Sequence, residues 1–193
     1  ASKGVIVSLN CETDFVAKNE GFVDFAKSVA KVALDSGATS IDALKAANFD
    51  GKLSVADKLT EQTGVIGEKI DISGFERLSA PFIASYIHMG NKIGTIVALN
   101  DVAEEAGKDV AMQAAAMNPV ALDKDSVSAD VIEKELEVGR DQARQEGKPE
   151  QIIEKIAQGK LNKFFKENTL VEQSFIKDSS MSVAKYLNSV KGG

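Results

Sequence analysis

The chain has 193 residues, 44% of them hydrophobic, enough for one large domain or two small ones with a buried core, so disorder is not the default. A formal net charge of −6 argues against a general polyanion binder, because neutralising phosphates needs clustered Lys and Arg. The single cysteine, Cys11, excludes an intramolecular disulfide framework and a multi-cysteine zinc site, and no apolar run approaches the roughly 20 residues that span a bilayer.

In chain order, the β-branched run GVIVSL, Gly4 to Leu9, predicts a strand. The stretch NCETDFVAKNE that follows reads as a polar linker, yet it holds an aromatic, Phe15, among Glu12, Thr13, Asp14, Lys18, Asn19 and Glu20. Such a side chain either folds back onto its own domain or belongs to another molecule. Phe22, Phe25, Ala26, Val29 and Ala33 recur at helical steps and predict one buried helix face. Shorter helices are expected over Ser40 to Ala47 and from Ser54, a good N-cap, to about Gln62. Ile70 and Ile72 then alternate with polar residues as in a half-buried strand.

Pro81 opens a second β region, FIASYIHM, Gly90-Asn91 and KIGTIVALN, which predicts a hairpin because both turn residues tolerate positive φ. An alanine-rich helix is expected from Glu104 to Met117, stopped by Asn118-Pro119. Ser128 caps a helix carrying Ile132, Leu136, Gly139 and Ala143, and Pro149 suits the first turn of another carrying Ile153, Ile156, Ala157, Leu161 and Phe164. Their narrow apolar stripes predict an antiparallel coiled-coil hairpin projecting from the body. Val171 to Ile176 is expected to return to the sheet, and Val183, Leu187 and Val190 mark a last helix.

An internal repeat organises these elements. GVIVSLN, Gly4 to Asn10, matches GTIVALN, Gly94 to Asn100, at five of seven positions, and Asp24-Phe25-Ala26 matches Asp109-Val110-Ala111 at two of three with an offset five residues shorter. The expected fold is therefore α+β, with two related subdomains of antiparallel sheets and flanking helices, residues 1–80 and 81–193. The helical hairpin is inserted in the second at about 128–167. The extra residues of the first copy fall in the linker around Phe15, which makes that insertion the functional candidate.

Catalytic chemistry finds little support. His88 is the only histidine, and a Cys11–His88 nucleophilic pair has nothing to bring it together. Glu12 and Asp14 read as solvated or capping carboxylates. GVIGEK, Gly64 to Lys69, has neither the spacing nor the Ser or Thr of a phosphate loop. Phe164 and Phe165 fit a hairpin core better than a base-stacking platform. No catalytic residue, cofactor or metal is expected.

The motif TDFVAKN preceded by NCE closely resembles that of bacterial elongation factor Ts, the nucleotide exchange factor for elongation factor Tu. YIHMGNKIG at Tyr86 to Gly94, DVAMQAAAMNP at Asp109 to Pro119, GKPEQIIEKIAQGKLNKFFKE at Gly147 to Glu167 and QSFIKD at Gln173 to Asp178 are similar to further segments of that family, in order along the chain. The resemblance implies a cytoplasmic, non-enzymatic protein whose partner is elongation factor Tu, with no direct contact to nucleic acid or membrane. It implies that Thr13, Asp14, Phe15 and Val16 meet the partner, Phe15 entering between helices near the nucleotide with Asp14 as its polar companion. A second contact region falls on Ile93, Gly94, Met112 and Gln113; many relatives have histidine where Gln113 stands. The family also implies a small N-terminal helical domain and a closing strand that this sequence lacks. Both ends look cut, and weaker exchange than in a longer relative is expected. The competing reading is a structural or chaperone-like interaction protein acting through the helical hairpin.

Overall fold

The β-branched opening run forms β1, Lys3–Asn10, which pairs antiparallel with β2, Asp71–Ser79, from Lys3↔Ser79 to Asn10↔Asp71 with a register shift between Ser8 and Leu9. The side-chain period of a strand sends Val5, Val7 and Leu9 into the helical core. Gly4 and Ile6 lie on the opposite face: a Cβ on Gly4 would stand 2.5 Å from Ile83 Cγ2, so only glycine lets the backbones approach there. The computed structural model describes residues 1–191, and they divide into one compact unit, Ala1–Ala115, and a second from Ala116 onward.

In the first unit, a short helix α1, Asp14–Ala17, precedes α2, Glu20–Ser36. The Asn19 side chain accepts from the Phe22 N–H at the start of α2, and Gly37 ends it at φ 71°. Its buried face is Phe22, Phe25, Val29 and Ala33, the expected stripe except for Ala26, which is only half-buried. Arg77 on β2 donates to the carbonyls of Ala33 and Leu34, two of the last-turn acceptors of α2, and to that of Ala38 just beyond Gly37. α3, Ile41–Ala46, follows its Ser40 cap. α4, Val55–Ile66, opens on a capping box between Ser54 and Asp57 and runs a turn further than expected, to Gly67 at φ 78°.

β3, Phe82–Ile87, and β4, Gly94–Leu99, form the second antiparallel pair, from Phe82↔Leu99 to Ile87↔Gly94. Gly90 and Asn91 both have positive φ, at 94° and 59°, as the turn chemistry demands. The connection is longer than a two-residue turn: the His88 N–H donates to the Ile93 carbonyl at 2.8 Å, and the Asn91 N–H to the His88 carbonyl at 3.0 Å. α5, Glu104–Met117, has the expected bounds and stops before Asn118, at φ 43°. Gly107 lets α5 lie against the hairpin, since a Cβ there would stand 2.7 Å from Ala84 Cβ. Thr95 Oγ1 ties β4 to α5 by donating to the Ala111 carbonyl at 2.6 Å. Both copies of the repeat fold as a strand leading to a helix, β1 to α2 and β4 to α5. The expected division at 80/81 follows the repeat, whereas the compact units divide between Ala115 and Ala116.

The second unit holds α6, Ala129–Gln145, capped by Ser128, and α7, Glu150–Asn168, with Pro149 just outside as the N-cap. The seam between them is built on small residues: a Cβ on Gly139 would lie 3.0 Å from Ala157 Cα. Ala143, Ile153, Ala157 and Leu161 complete its buried stripe, and Arg140 bridges Glu133 at 2.9 Å and Glu154 at 2.8 Å. After α7 the chain does not return to an earlier sheet. Leu170 and Val171 donate to the carbonyls of Ala121 and Leu122, and only Ser174–Phe175, β5, is strand. It pairs with β6, Asp178–Ser182, in a sheet of its own. Phe175 stacks on Tyr186 of α8, Val183–Lys191, with ring centroids 4.0 Å apart. The architecture is the expected α+β fold of small antiparallel sheets with flanking helices and a helical hairpin.

Candidate partner-binding site

The segment read as a linker is an ordered turn. A four-residue helix cannot sustain itself, because nucleation fixes several residues for one hydrogen bond. Here α1 is held from outside. Thr13 is its N-cap, with Oγ1 accepting from the Val16 N–H at 3.4 Å. Immediately past α4 and Gly67, the carboxylate of Glu68 accepts from the Glu12 N–H at 2.8 Å and the Thr13 N–H at 3.0 Å through one oxygen, and from the Thr13 hydroxyl through the other. Glu12 answers by accepting from the Lys69 N–H at 3.3 Å. The Thr13 hydroxyl, with the two backbone N–H groups, holds the Glu68 carboxyl below the usual carboxylate range.

Two side chains anchor the turn inward. Val16 is half-buried against the core that contains Phe22 and Phe25, and Cys11 packs beside it with its thiol donating to the Thr13 carbonyl at 3.3 Å. Burial, then the charge of Glu68, pushes the Cys11 thiol above its ordinary pKa. Phe15, on the other side of α1, is 90% exposed. Of the two possibilities open for this aromatic, folding back onto its own domain is the one it does not adopt.

The second predicted region adjoins the first through one ion pair. Lys92, in the β3–β4 turn, meets Asp14 at 2.8 Å, so α1 and the turn carrying Ile93 and Gly94 are bridged. Ile93 is exposed, and so is Met89 at 91%, in the same turn. Gly94 is packed: a Cβ there would lie 2.8 Å from Ile87 Cδ1 and 3.2 Å from Ile6 Cδ1. On α5, Met112 is half-buried and Gln113 fully buried. His88 bonds Tyr86 through Nδ1 at 3.0 Å, while Cys11 bonds Thr13, so the two residues of the conceivable nucleophilic pair each have other partners. Sequence patterning passed over Glu68 and Lys92. Their contacts join positions far apart in the chain, and periodicity reports only neighbours.

Among the described residues no group of three or more His, Cys, Asp or Glu could hold a metal ion, and no helix is long and apolar enough to cross a membrane. The family described as "Elongation factor TS" matches residues 12–192. The chain is 56% identical to elongation factor Ts of Christiangramia forsetii, over 99% of this chain and 70% of that protein. It is 55% identical to elongation factor Ts of Flavobacterium psychrophilum, over 97% of this chain and 68% of the relative, and 50% identical to that of Amoebophilus asiaticus, over 100% and 71%. The turn built around TDFV, the α+β fold and the match along nearly the whole chain agree: the chain belongs to the elongation factor Ts family, whose members are cytoplasmic nucleotide exchange factors of translation and not enzymes.

Proposed function

We propose that this chain promotes release of GDP from elongation factor Tu by inserting Phe15 into the partner's GTPase domain, near its nucleotide and magnesium site, with Asp14 as the polar companion. The observation that carries the proposal is a large aromatic held 90% exposed on a turn whose neighbours are pinned. An exposed Phe costs nothing to undock, and burying it in a partner is worth about 1.5 to 3 kcal/mol. Aromatic anchors of this kind dominate many interfaces.

The magnitude assigns the rest of the surface a share. Weakening GDP a thousandfold needs about 4 kcal/mol of coupling, at roughly 1.4 per decade, more than one Phe supplies. Ile93, Gly94 and the half-buried Met112 broaden the contact, with Gln113 acting through the placement of α5 because its side chain is fully buried. The contact surface then draws on both copies of the repeat, α1 from residues 1–80 and the hairpin with α5 from residues 81–193. Coupling is reciprocal, so GDP weakens binding of this protein by the same factor and incoming nucleotide expels it.

The test is release of fluorescent GDP from elongation factor Tu, at fixed magnesium, with wild type and Phe15→Ala in parallel. Acceleration by wild type that is lost in a folded Phe15→Ala variant is the expected result. Equal acceleration by both removes Phe15 from the mechanism.

A further inference from the structure

A wedge acts only if it points the right way, and a four-residue helix has no means of setting its own direction. The side chain that joins this one to the rest of the first unit by three hydrogen bonds is Glu68. It lies in GVIGEK, a segment that has no phosphate-loop spacing and otherwise no assigned purpose. α4 ends at Gly67, whose positive φ turns the chain, so Glu68 stands at the first position past the helix cap, at the start of the short link to β2. Its two oxygens divide the work: one takes the N–H groups of Glu12 and Thr13, and the other takes the Thr13 hydroxyl, whose oxygen caps α1 toward Val16. The return bond from Lys69 N–H to Glu12 makes the junction two-way. Phe15 comes two residues after Thr13, so any rotation of the clamped peptide is carried directly to it.

We infer that Glu68 is a positioning residue for exchange: it fixes the N-terminus of α1 and so sets the direction in which Phe15 is presented to the partner. This rests on the reading of Phe15 as the wedge. Glu68 itself need not touch the partner. Its side chain is spent on the turn, and an aromatic presented in one fixed direction loses less freedom on binding than one on a mobile loop.

The chemistry of the clamp separates two substitutions. Glu68→Gln preserves the junction with one bond reversed, because the amide oxygen accepts from both backbone N–H groups while the amide NH2 donates to Thr13 Oγ1 instead of accepting from it. Glu68→Ala keeps none of these bonds. The expected outcome is near-wild-type exchange for Glu68→Gln and a loss of roughly ten- to a hundredfold for Glu68→Ala, the scale on which a misplacement of about 1 Å costs a geometry-dependent step. In a Phe15→Ala background, read at factor concentrations high enough to give a measurable residual acceleration, Glu68→Ala causes no further loss, because a residue that acts through Phe15 has nothing left to act through. Amide hydrogen exchange supplies a local signature: the Glu12 and Thr13 N–H groups lose protection in Glu68→Ala while those of α2 keep it.

Three results overturn the inference. One is wild-type exchange in Glu68→Ala while Phe15→Ala is defective. A second is an equal further loss in the Phe15→Ala background, which marks a general structural role. The third is unchanged protection at Glu12 and Thr13. If instead Phe15→Ala exchanges at the wild-type rate, the wedge reading itself fails, a pattern distinct from all three.

Discussion

Asp14 and Lys92 form a 2.8 Å ion pair that joins α1 to the β3–β4 turn, so the two regions expected to meet the partner are bridged in the free protein. Lys92, by hydrogen bond and by charge, holds the Asp14 carboxyl below its ordinary range, and Asp14 raises the Lys92 ammonium in turn. For a carboxylate with a depressed folded-state pKa, the stabilisation is complete above the unfolded value and is lost as pH falls through the folded one. The bridge is therefore intact from about pH 5 up to the alkaline range above the ordinary lysine value, where the Lys92 ammonium loses its proton, and an effect of Lys92→Ala on exchange is flat between roughly pH 6 and 8. In that variant the Asp14 carboxyl titrates closer to the ordinary aspartate value, which a carbon-detected NMR titration reads directly. Both side chains are largely exposed, so the thermal midpoint moves little.

Phe15→Ala leaves the fold as stable as before. A side chain that is 90% exposed buries almost no area in the folded state, and surface substitutions of this kind stay within about 0.5 kcal/mol. Urea unfolding of the two proteins checks this. A midpoint shift well beyond that range would mean that Phe15 is docked on its own domain in solution, and the exchange assay would then no longer isolate a contact with the partner.

Much of this architecture is legible in the sequence. β1, α2, the β3–β4 pair and α5 announce themselves through period-2 or period-3.6 patterns because each buries one face on a core. The site was legible as a chemical anomaly, an aromatic among charged residues, but its shape was not. α1 depends on Glu68, which hydrogen-bonds from more than fifty residues downstream, and no local pattern reports such a bond. β6 was missed for a related reason. Its sequence, DSSMS, has no apolar alternation, and what defines it is pairing with β5 and a turn in which Asp178 accepts from the Ser180 N–H and hydroxyl. Gln113 illustrates the opposite limit: the resemblance placed it among contact residues, and only the packing of α5 reveals that its side chain is fully buried.

Cys11 reports on the clamp from behind. Burial comes first and the neighbouring Glu68 charge second in raising its thiol pKa, so the thiolate is scarce at neutral pH and alkylation is slow. Iodoacetamide modification is expected to lag that of a free thiol at pH 7 and to accelerate as pH rises past the ordinary cysteine range. Glu68→Ala removes the second cause and loosens the turn, so the same reaction becomes faster at pH 7. An unchanged rate in that variant would mean that the Glu68 carboxylate does not influence the thiol.

Two helical glycines test how the hairpin is seated. Replacing glycine by alanine inside a helix ordinarily gains about 0.5 to 1 kcal/mol by removing backbone freedom from the unfolded chain. Gly159 in α7 has nothing within 4 Å of the position a Cβ would take, so Gly159→Ala is expected to show that full gain. At Gly107 the added carbon would stand 2.7 Å from Ala84 Cβ, 2.9 Å from Leu99 Cδ1 and 3.1 Å from Phe82 Cε1, and the alanine carbon cannot swing aside. Overpacking of this order costs about 1 to 3 kcal/mol, which exceeds the entropic gain, so Gly107→Ala destabilises. The strain also pushes α5 away from β3 and β4, the hairpin whose turn carries Lys92 and Ile93, so exchange falls in Gly107→Ala and stays at the wild-type rate in Gly159→Ala. Calorimetry and the GDP-release assay on the two variants together check both halves, and a Gly107→Ala protein as stable as wild type would show that α5 does not press on the hairpin as closely as its glycine implies.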